Sequence, residues 1–122
     1  VDREDLLRTC ADCTIGMAFM PARSDDINMR AMAGASNKPF DYLACGLTLL
    51  VSDLPEWRQM FVDPGYALAC DPSETSSVAA AIRRLIEDPA LVRSMGERGR
   101  ERIRSEWNYE TQFAPLLTIL EA

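Results

Sequence analysis

A carboxylate and the start of a helix lie close together in the stretch Asn37–Asp53, and together they could bind a nucleotide. Asp41 lies one turn into a helix that is predicted to begin after Asn37. A carboxylate there can accept hydrogen bonds from two ligand hydroxyls, while the amino end of the helix faces phosphates. The helix dipole alone also favours a carboxylate at this place. Asp41 is therefore a candidate binding residue, and a purely structural role stays open.

The elements that would position Asp41 can be predicted from the same stretch. Asn37 is expected to cap the helix with its side chain, and Pro39 fits its first turn. Gly46 suits a left-handed residue after the helix, and Leu49–Val51 is typical of a strand covered on both faces. One apolar helix face is predicted from Phe40, Leu43, Ala44 and Leu47.

The remainder of the chain alternates strands and helices. A helix over Asp2–Ala11 is predicted to turn Leu6, Leu7 and Cys10 inward, and an interior strand over Thr14–Met20 follows it. The segment 22–36 has no clean period and is expected to be a long loop that can include a helical turn. Later elements are a short helix from Asp53, a strand over Tyr66–Cys70 and three helices, the first with Val78, Ile82, Leu85 and Ile86 on its apolar face and the last with Phe113, Leu116, Leu117 and Leu120. This order predicts an α/β fold with a small parallel sheet, resembling half of a doubly wound domain.

Composition excludes several classes of function. The chain has 122 residues, a net charge of −6 and no His, which removes the commonest general base and argues against binding to nucleic acid. No apolar run approaches the length of a membrane helix. The chain does not begin with Met, so we expect a fragment that lacks upstream sequence.

The remaining chemically capable residues have structural explanations. Cys10, Cys13, Cys45 and Cys70 are expected to be buried thiols in a reducing cytoplasm, although the first two form a C-x-x-C pair. The adjacent acids Asp25 and Asp26 are a weak metal candidate. We expect Gly96 and Gly99 to allow close helix packing. The Arg/Glu-rich helix is expected to present a solvated charged face. Trp57 and Trp107 are expected to be packing residues.

The Asn37–Asp53 stretch and the residues after it resemble the donor-site segment of retaining glycosyltransferases of family four and related groups, which have the GT-B fold. This chain reads N-K-P-F-D-Y-L-A-C-G-L-T-L-L-V-S-D-L-P-E, where the family has approximately N-K-(L/P)-F-E-Y-(L/M)-A-x-G-x-P-V-(V/I)-(A/S)-S-D. Further similar segments follow the family's order: A-D-C-T-I-G-M-A-F-M-P, P-G-Y-A-L, D-P-A-L-V-R-S-M-G-E-R-G-R-E-R-I-R and W-N-Y-E. The resemblance covers nearly the whole chain.

The resemblance implies that residues 1–122 are one domain, the distal part of a Rossmann-like carboxy-terminal domain that binds a nucleotide-diphosphate sugar. Asp41 would bind the ribose hydroxyls, and the backbone at Ser36, Asn37 and Lys38 would face the diphosphate. No cofactor and no metal are expected, and no residue is a convincing catalyst. The acceptor, a glycan or a lipid-linked saccharide, would be bound by a domain outside this chain. A cytoplasmic location is expected, with peripheral membrane association through the missing sequence left open.

This sequence departs from the family pattern at several positions. The Glu that often contacts the donor sugar would fall at residue 33, which is Ala. Asp41 stands in place of a Glu, Thr48 in place of a Pro, and the segment before Asn37 is longer than usual.

Two other functions stay open at this point. One is a non-catalytic GT-B-like scaffold or interaction module with a degenerate donor site, and the other is a flavodoxin-like nucleotide- or phosphate-binding response domain. Because half of a domain would expose a sheet edge and apolar surface, we also expect a homodimer of the fragment, or packing that is an artefact of truncation.

Overall fold

The computed structural model describes residues 2–21 and 25–122, without the side chains of residues 30 and 33. Part of the segment 22–36 and the side chain of Ala33, the position at which the resembling family often has a sugar-contacting Glu, thus lie outside the described residues. Within the described part, the seven helices are α1 (Arg3–Ala11), α2 (Ile27–Ala31), α3 (Lys38–Ala44), α4 (Pro55–Trp57), α5 (Thr75–Glu87), α6 (Pro89–Ser105) and α7 (Tyr109–Glu121). A 3₁₀ turn (Met32–Gly34) follows α2, and a π-helical turn (Arg58–Val62) continues α4.

The described strands form one parallel sheet, as predicted. They are β1 (Ile15–Ala18), β2 (Thr48–Ser52) and β3 (Ala67–Cys70), in the order β1-β2-β3. Leu49 lies between Gly16 and Ala67 in the register. Every residue of β2 is buried, which confirms the prediction for the Leu49–Val51 run.

Strand β1 corrects the prediction of an interior strand. It lies at the edge of the described sheet, and Met17 is 50% exposed. Gly16 and Ala18 on one face of β1 are buried, whereas on the other face Ile15 is half-buried and Met17 is exposed. Hydrophobicity alone could not distinguish this edge strand from a central one, since both carry apolar residues.

Both faces of the sheet carry apolar packing. On one face, Leu49 and Val51 pack with Leu43 of α3 and with Phe61. Leu68 points to the opposite face because neighbouring side chains in a strand alternate, and it packs with Leu85 of α5 and its neighbours in α6. Helices therefore cover the sheet on both sides, as in a doubly wound fold.

Aromatic rings extend the core beside α3. Trp107 lies 5.5 Å from Phe40, 6.0 Å from Phe61 and 5.9 Å from Tyr66 between ring centroids, each pair edge to face. Trp57 lies 6.2 Å from Phe61. These contacts confirm that both tryptophans are packing residues. Edge-to-face pairs contribute about 0.5–1.5 kcal/mol beyond their buried area.

Several local predictions are wrong. Asn37 precedes α3 but makes no side-chain capping hydrogen bond, because its φ of −83° and ψ of −17° are helical rather than extended. Three residues placed on inward faces, Leu6, Ala44 and Ile86, are exposed. Asp2 does cap α1, since its side chain accepts from the backbone N–H of Asp5 at 2.9 Å.

Helix α7 has none of its side chains buried. The apolar residues predicted to form one face, Phe113, Leu116, Leu117 and Leu120, are 46% to 72% exposed. None of the described helices combines the length and the apolar character that a membrane span requires. The predicted homodimer stays a prediction.

Glycines let α6 approach the end of α3 closely. A Cβ on Gly96 would collide with the backbone carbonyl oxygen of Gly46, and one on Gly99 would collide with the Leu43 side chain. Gly46 itself has φ of 77°, a left-handed conformation that disfavours other residues. The predicted close packing at Gly96 and Gly99 is therefore confirmed.

We expect Gly96→Ala to lower the free energy of unfolding by about 1–3 kcal/mol, because a backbone oxygen cannot move aside as a flexible side chain can. Gly34→Ala is the matched control, since a Cβ there meets no atom within 4 Å among the described residues. The control should change stability by less than about 0.5 kcal/mol. Urea unfolding of both variants measures this, and equal effects would contradict the packing role.

Candidate functional site

The Asp41 carboxylate is held by a guanidinium from a distant helix. Arg3 Nη2 donates to Asp41 Oδ1 at 2.6 Å, and Arg3 Nη1 donates to Asp41 Oδ2 at 3.2 Å. The Asp41 side chain is only 14% exposed, whereas that of Arg3 is 68% exposed. The hydrogen bond and the charge of Asp41 raise the pKa of Arg3 above its ordinary value. A charged, two-point contact thus fixes the carboxylate.

A cavity of about 740 Å³ opens beside this ion pair. Its walls come from α1, α3, the π-helical turn after α4, the end of α6 and the start of α7. Its lining includes Arg3, Asn37, Asp41, Tyr109 and Phe113. The aromatic rings of Tyr109 and Phe113 lie 6.0 Å apart and are tilted by 40°. This volume suits a ligand of nucleotide size, and ligand cavities commonly combine aromatic walls with a few charged groups.

The predicted phosphate-facing residues lie at the amino end of α3. Asn37 and Lys38 are exposed there, and Asn37 also lines the cavity. The Ser36 backbone N–H donates to the Met32 carbonyl at 2.9 Å, so this amide is already bonded. A phosphate at this place would compete with Met32 for the Ser36 amide.

Two other carboxylates follow the neighbouring strands. Asp53 comes after β2 and pairs with Arg58, with contacts of 2.5 Å and 2.9 Å. Asp71 comes after β3, and its Oδ1 accepts from the Ser73 hydroxyl at 2.6 Å. The Arg58 hydrogen bond lowers the pKa of Asp53, and the Ser73 hydroxyl lowers the pKa of Asp71. Both carboxylates are therefore negative at neutral pH.

Ser52 fixes the chain that leaves β1. Its hydroxyl donates to the Met20 carbonyl at 2.8 Å and lies 2.7 Å from the Met20 backbone nitrogen, whose N–H it accepts. Ser52 is fully buried, and these bonds satisfy its polar group. The chain thus leaves β1 at a defined point.

The four cysteines are free thiols. Cys10 and Cys70 are buried as predicted, but Cys13 is exposed because it lies after the end of α1 and before β1. Burial raises the pKa of Cys45 and of Cys70 above the ordinary thiol value. Among the described residues, no group of three or more carboxylates and thiols could hold a metal ion.

Comparison with known proteins decides the family. A family model described as glycosyl transferase-like matches residues 1–118. The chain belongs to this glycosyl transferase-like family. The resemblance of the Asn37–Asp53 stretch and the later segments to glycosyltransferases is thereby confirmed.

Two kinds of curated relative are similar in sequence. The glycogen synthase of Mycobacterium tuberculosis is 22% identical over 94 residues, which are 77% of this chain and 21% of that protein. The O-antigen biosynthesis protein RfbC of Myxococcus xanthus is 28% identical over 100 residues, 81% of this chain and 7% of that protein. The chain therefore spans about a fifth or less of these relatives.

A solved structure shows the same fold. Sucrose-phosphate synthase from Thermosynechococcus elongatus matches with a TM-score of 0.56 at 22% identity, covering 96% of this chain and 41% of that one. The chain is thus part of the Rossmann-like half of a GT-B fold, as predicted.

The sequence indicated Asp41 as a candidate binding residue but did not indicate Arg3 as its partner. The two residues are 38 positions apart, beyond the reach of any helical or strand periodicity. Arg3 lies in the first turn of α1 among acidic residues, and these acids are already accounted for as features of a helix start. The one sequence signal for Arg3 was its position as a basic residue among acids.

We expect Asp53→Asn to reduce the loss of stability in acid. A lowered pKa in the folded state gives stability that is present above the unfolded value of about 3.9 and is lost as pH falls through the folded value. The effect is small because Asp53 and Arg58 are about half exposed. Unfolding free energies between pH 6 and pH 2 measure it.

Arg58→Ala is the second variant, since it removes the hydrogen bond that lowers the pKa of Asp53. It should likewise reduce the pH dependence of the unfolding free energy in this range. An unchanged pH profile in the Asp53→Asn variant would contradict the assignment.

Proposed function

We propose that residues 1–122 are the distal part of the donor-binding domain of a glycosyltransferase, and that they bind the nucleoside diphosphate of a nucleotide-sugar donor. The whole protein would transfer the sugar to a glycan or a lipid-linked acceptor held elsewhere. Family membership supports sugar transfer in general. The donor assignment depends on one observation. The Asp41 carboxylate is held by the ion pair with Arg3 at the wall of a cavity that is large enough for a nucleotide.

Asp41 has the chemistry to recognise ribose. An ionised carboxylate accepts hydrogen bonds and has about four acceptor sites on its two oxygens. Two neighbouring hydroxyls can therefore donate to the two oxygens together. The low exposure of Asp41 strengthens such bonds, because less water competes for them.

The exposed rings of Tyr109 and Phe113 offer an apolar wall for the base. Every nucleobase has an aromatic face that can stack on such side chains, and stacking of this kind tolerates different bases. The cavity thus supports a nucleoside without indicating which nucleotide is used.

Charge favours the diphosphate at the amino end of α3. Lys38 is a cation there, and Asn37 and Ser36 precede or begin the helix. The ends of β2 and β3 instead carry the ionised Asp53 and Asp71, and like charges repel a diphosphate. Binding at α3 would require Ser36 to exchange its bond to Met32.

A non-catalytic module with a degenerate donor site is the second candidate. The observation that favours it is the contact of both Asp41 oxygens with Arg3. If Arg3 closes the ribose position, the chain binds no nucleotide and keeps only the fold. Nucleotide titration separates these two candidates.

We expect Asp41→Ala to weaken nucleoside diphosphate binding by roughly tenfold to a hundredfold, since hydrogen bonds to a charged group contribute about 1.5–3 kcal/mol. Isothermal titration of the natural protein that contains residues 1–122, with UDP, ADP and GDP in turn, measures this. Asp53→Asn is the matched control, because its carboxylate is occupied by Arg58 away from the cavity.

The control should bind as the unmodified protein does. Absence of binding to all three nucleotides, or unchanged affinity in Asp41→Ala, would overturn the donor assignment and favour the non-catalytic module.

A further inference from the structure

We propose that Arg3 is a positioning residue: it holds the Asp41 carboxylate in the orientation that receives the two ribose hydroxyls of a nucleoside diphosphate. This inference rests on the proposed function, because it assigns a partner to the residue that would bind ribose. It goes beyond that function by giving a role to α1, which carries no other candidate binding residue.

The geometry is that of a fork. Two guanidinium nitrogens of Arg3 contact the two oxygens of Asp41, at 2.6 Å and 3.2 Å. Planar two-point contacts of this kind fix orientation as well as distance. The carboxylate plane of Asp41 is therefore set by Arg3, which joins the start of α1 to α3.

Arg3 does not need to leave when ribose binds. A carboxylate offers about four acceptor sites, and the two contacts from Arg3 use two of them. One site on each oxygen then remains for the two hydroxyls. Arg3 and the ribose can share Asp41 in a three-part arrangement.

Stability does not explain the contact. Arg3 is mostly exposed, and exposed ion pairs contribute little to folding. Orientation is a different matter, because a side chain that is already fixed loses less freedom when its ligand binds. Asp is also one methylene shorter than the Glu of the resembling family, so its reach leaves less tolerance for a wrong orientation.

Arg8 provides a matched control on the same helix. It is a second arginine of α1, and it pairs with Glu4 at 2.9 Å and Asp5 at 3.1 Å within the helix. Both arginines have side chains that are 68% exposed. They differ in that Arg3 contacts α3 and lines the cavity.

The test compares a ribonucleotide with its 2′,3′-dideoxy analogue in the natural protein that contains residues 1–122. We expect Arg3→Ala to weaken binding of the ribonucleoside diphosphate by about two- to tenfold and to leave the dideoxy analogue unchanged. Arg3→Lys should restore part of the loss, since Lys keeps the charge but not the fork. Arg8→Ala should bind both ligands normally.

Three results would overturn the role of Arg3. Equal weakening of both ligands would show a general structural or phosphate effect, tighter ribonucleotide binding would show that Arg3 blocks the site, and unchanged binding would show no role. Failure of the proposed function is distinct: the unmodified protein would then bind neither ligand, or Asp41→Ala would bind normally, and the inference about Arg3 would fall with it.

Discussion

The close approach of α6 to the end of α3 is the constraint on which the candidate site depends. Gly96 admits the backbone carbonyl of Gly46, and Gly99 admits the side chain of Leu43. No larger residue fits at either place without movement of a neighbour. Asp41 lies in the same helix as Leu43. The packing of Leu43 against α6 therefore also helps to position the Asp41 carboxylate relative to α6. Two positions without side chains thus help to place the helix that carries the candidate carboxylate.

The central strand is held at both ends by buried hydroxyls. At its start, Thr48 Oγ1 donates to the Val92 carbonyl of α6 at 2.6 Å. At its end, Ser52 exchanges hydrogen bonds with both backbone groups of Met20. A purely apolar strand could slide along its neighbours, whereas buried polar groups must meet their partners. The Thr48 hydroxyl therefore fixes the start of β2 against α6, and the Ser52 hydroxyl fixes its end against the residues that follow β1.

Local patterns in the sequence predicted most of the fold, and several of the errors depend on contacts between distant segments. Gly46 and the run Leu49–Val51 were predictable because a left-handed turn and a fully covered strand have local signatures. The exposure of Met17 in β1 was not, since it depends on what packs over that face of the strand. Asn37 failed as a cap because its own backbone is helical rather than extended. Asp41 was found as a carboxylate at a helix start, but its partner Arg3 is 38 residues away.

Helix α1 is attached to the remainder of the fold through few groups. Cys10 is its only buried side chain among the described residues, and Arg3 is its contact with Asp41. The ribose binding proposed for Asp41 and the docking of α1 would therefore involve the same carboxylate. If Arg3 prepares Asp41 for ribose, then ribose must in turn favour the docked position of α1, because coupling between two equilibria is reciprocal. A contact that contributes little to folding by itself can in this way link the order of a whole helix to the occupancy of the site.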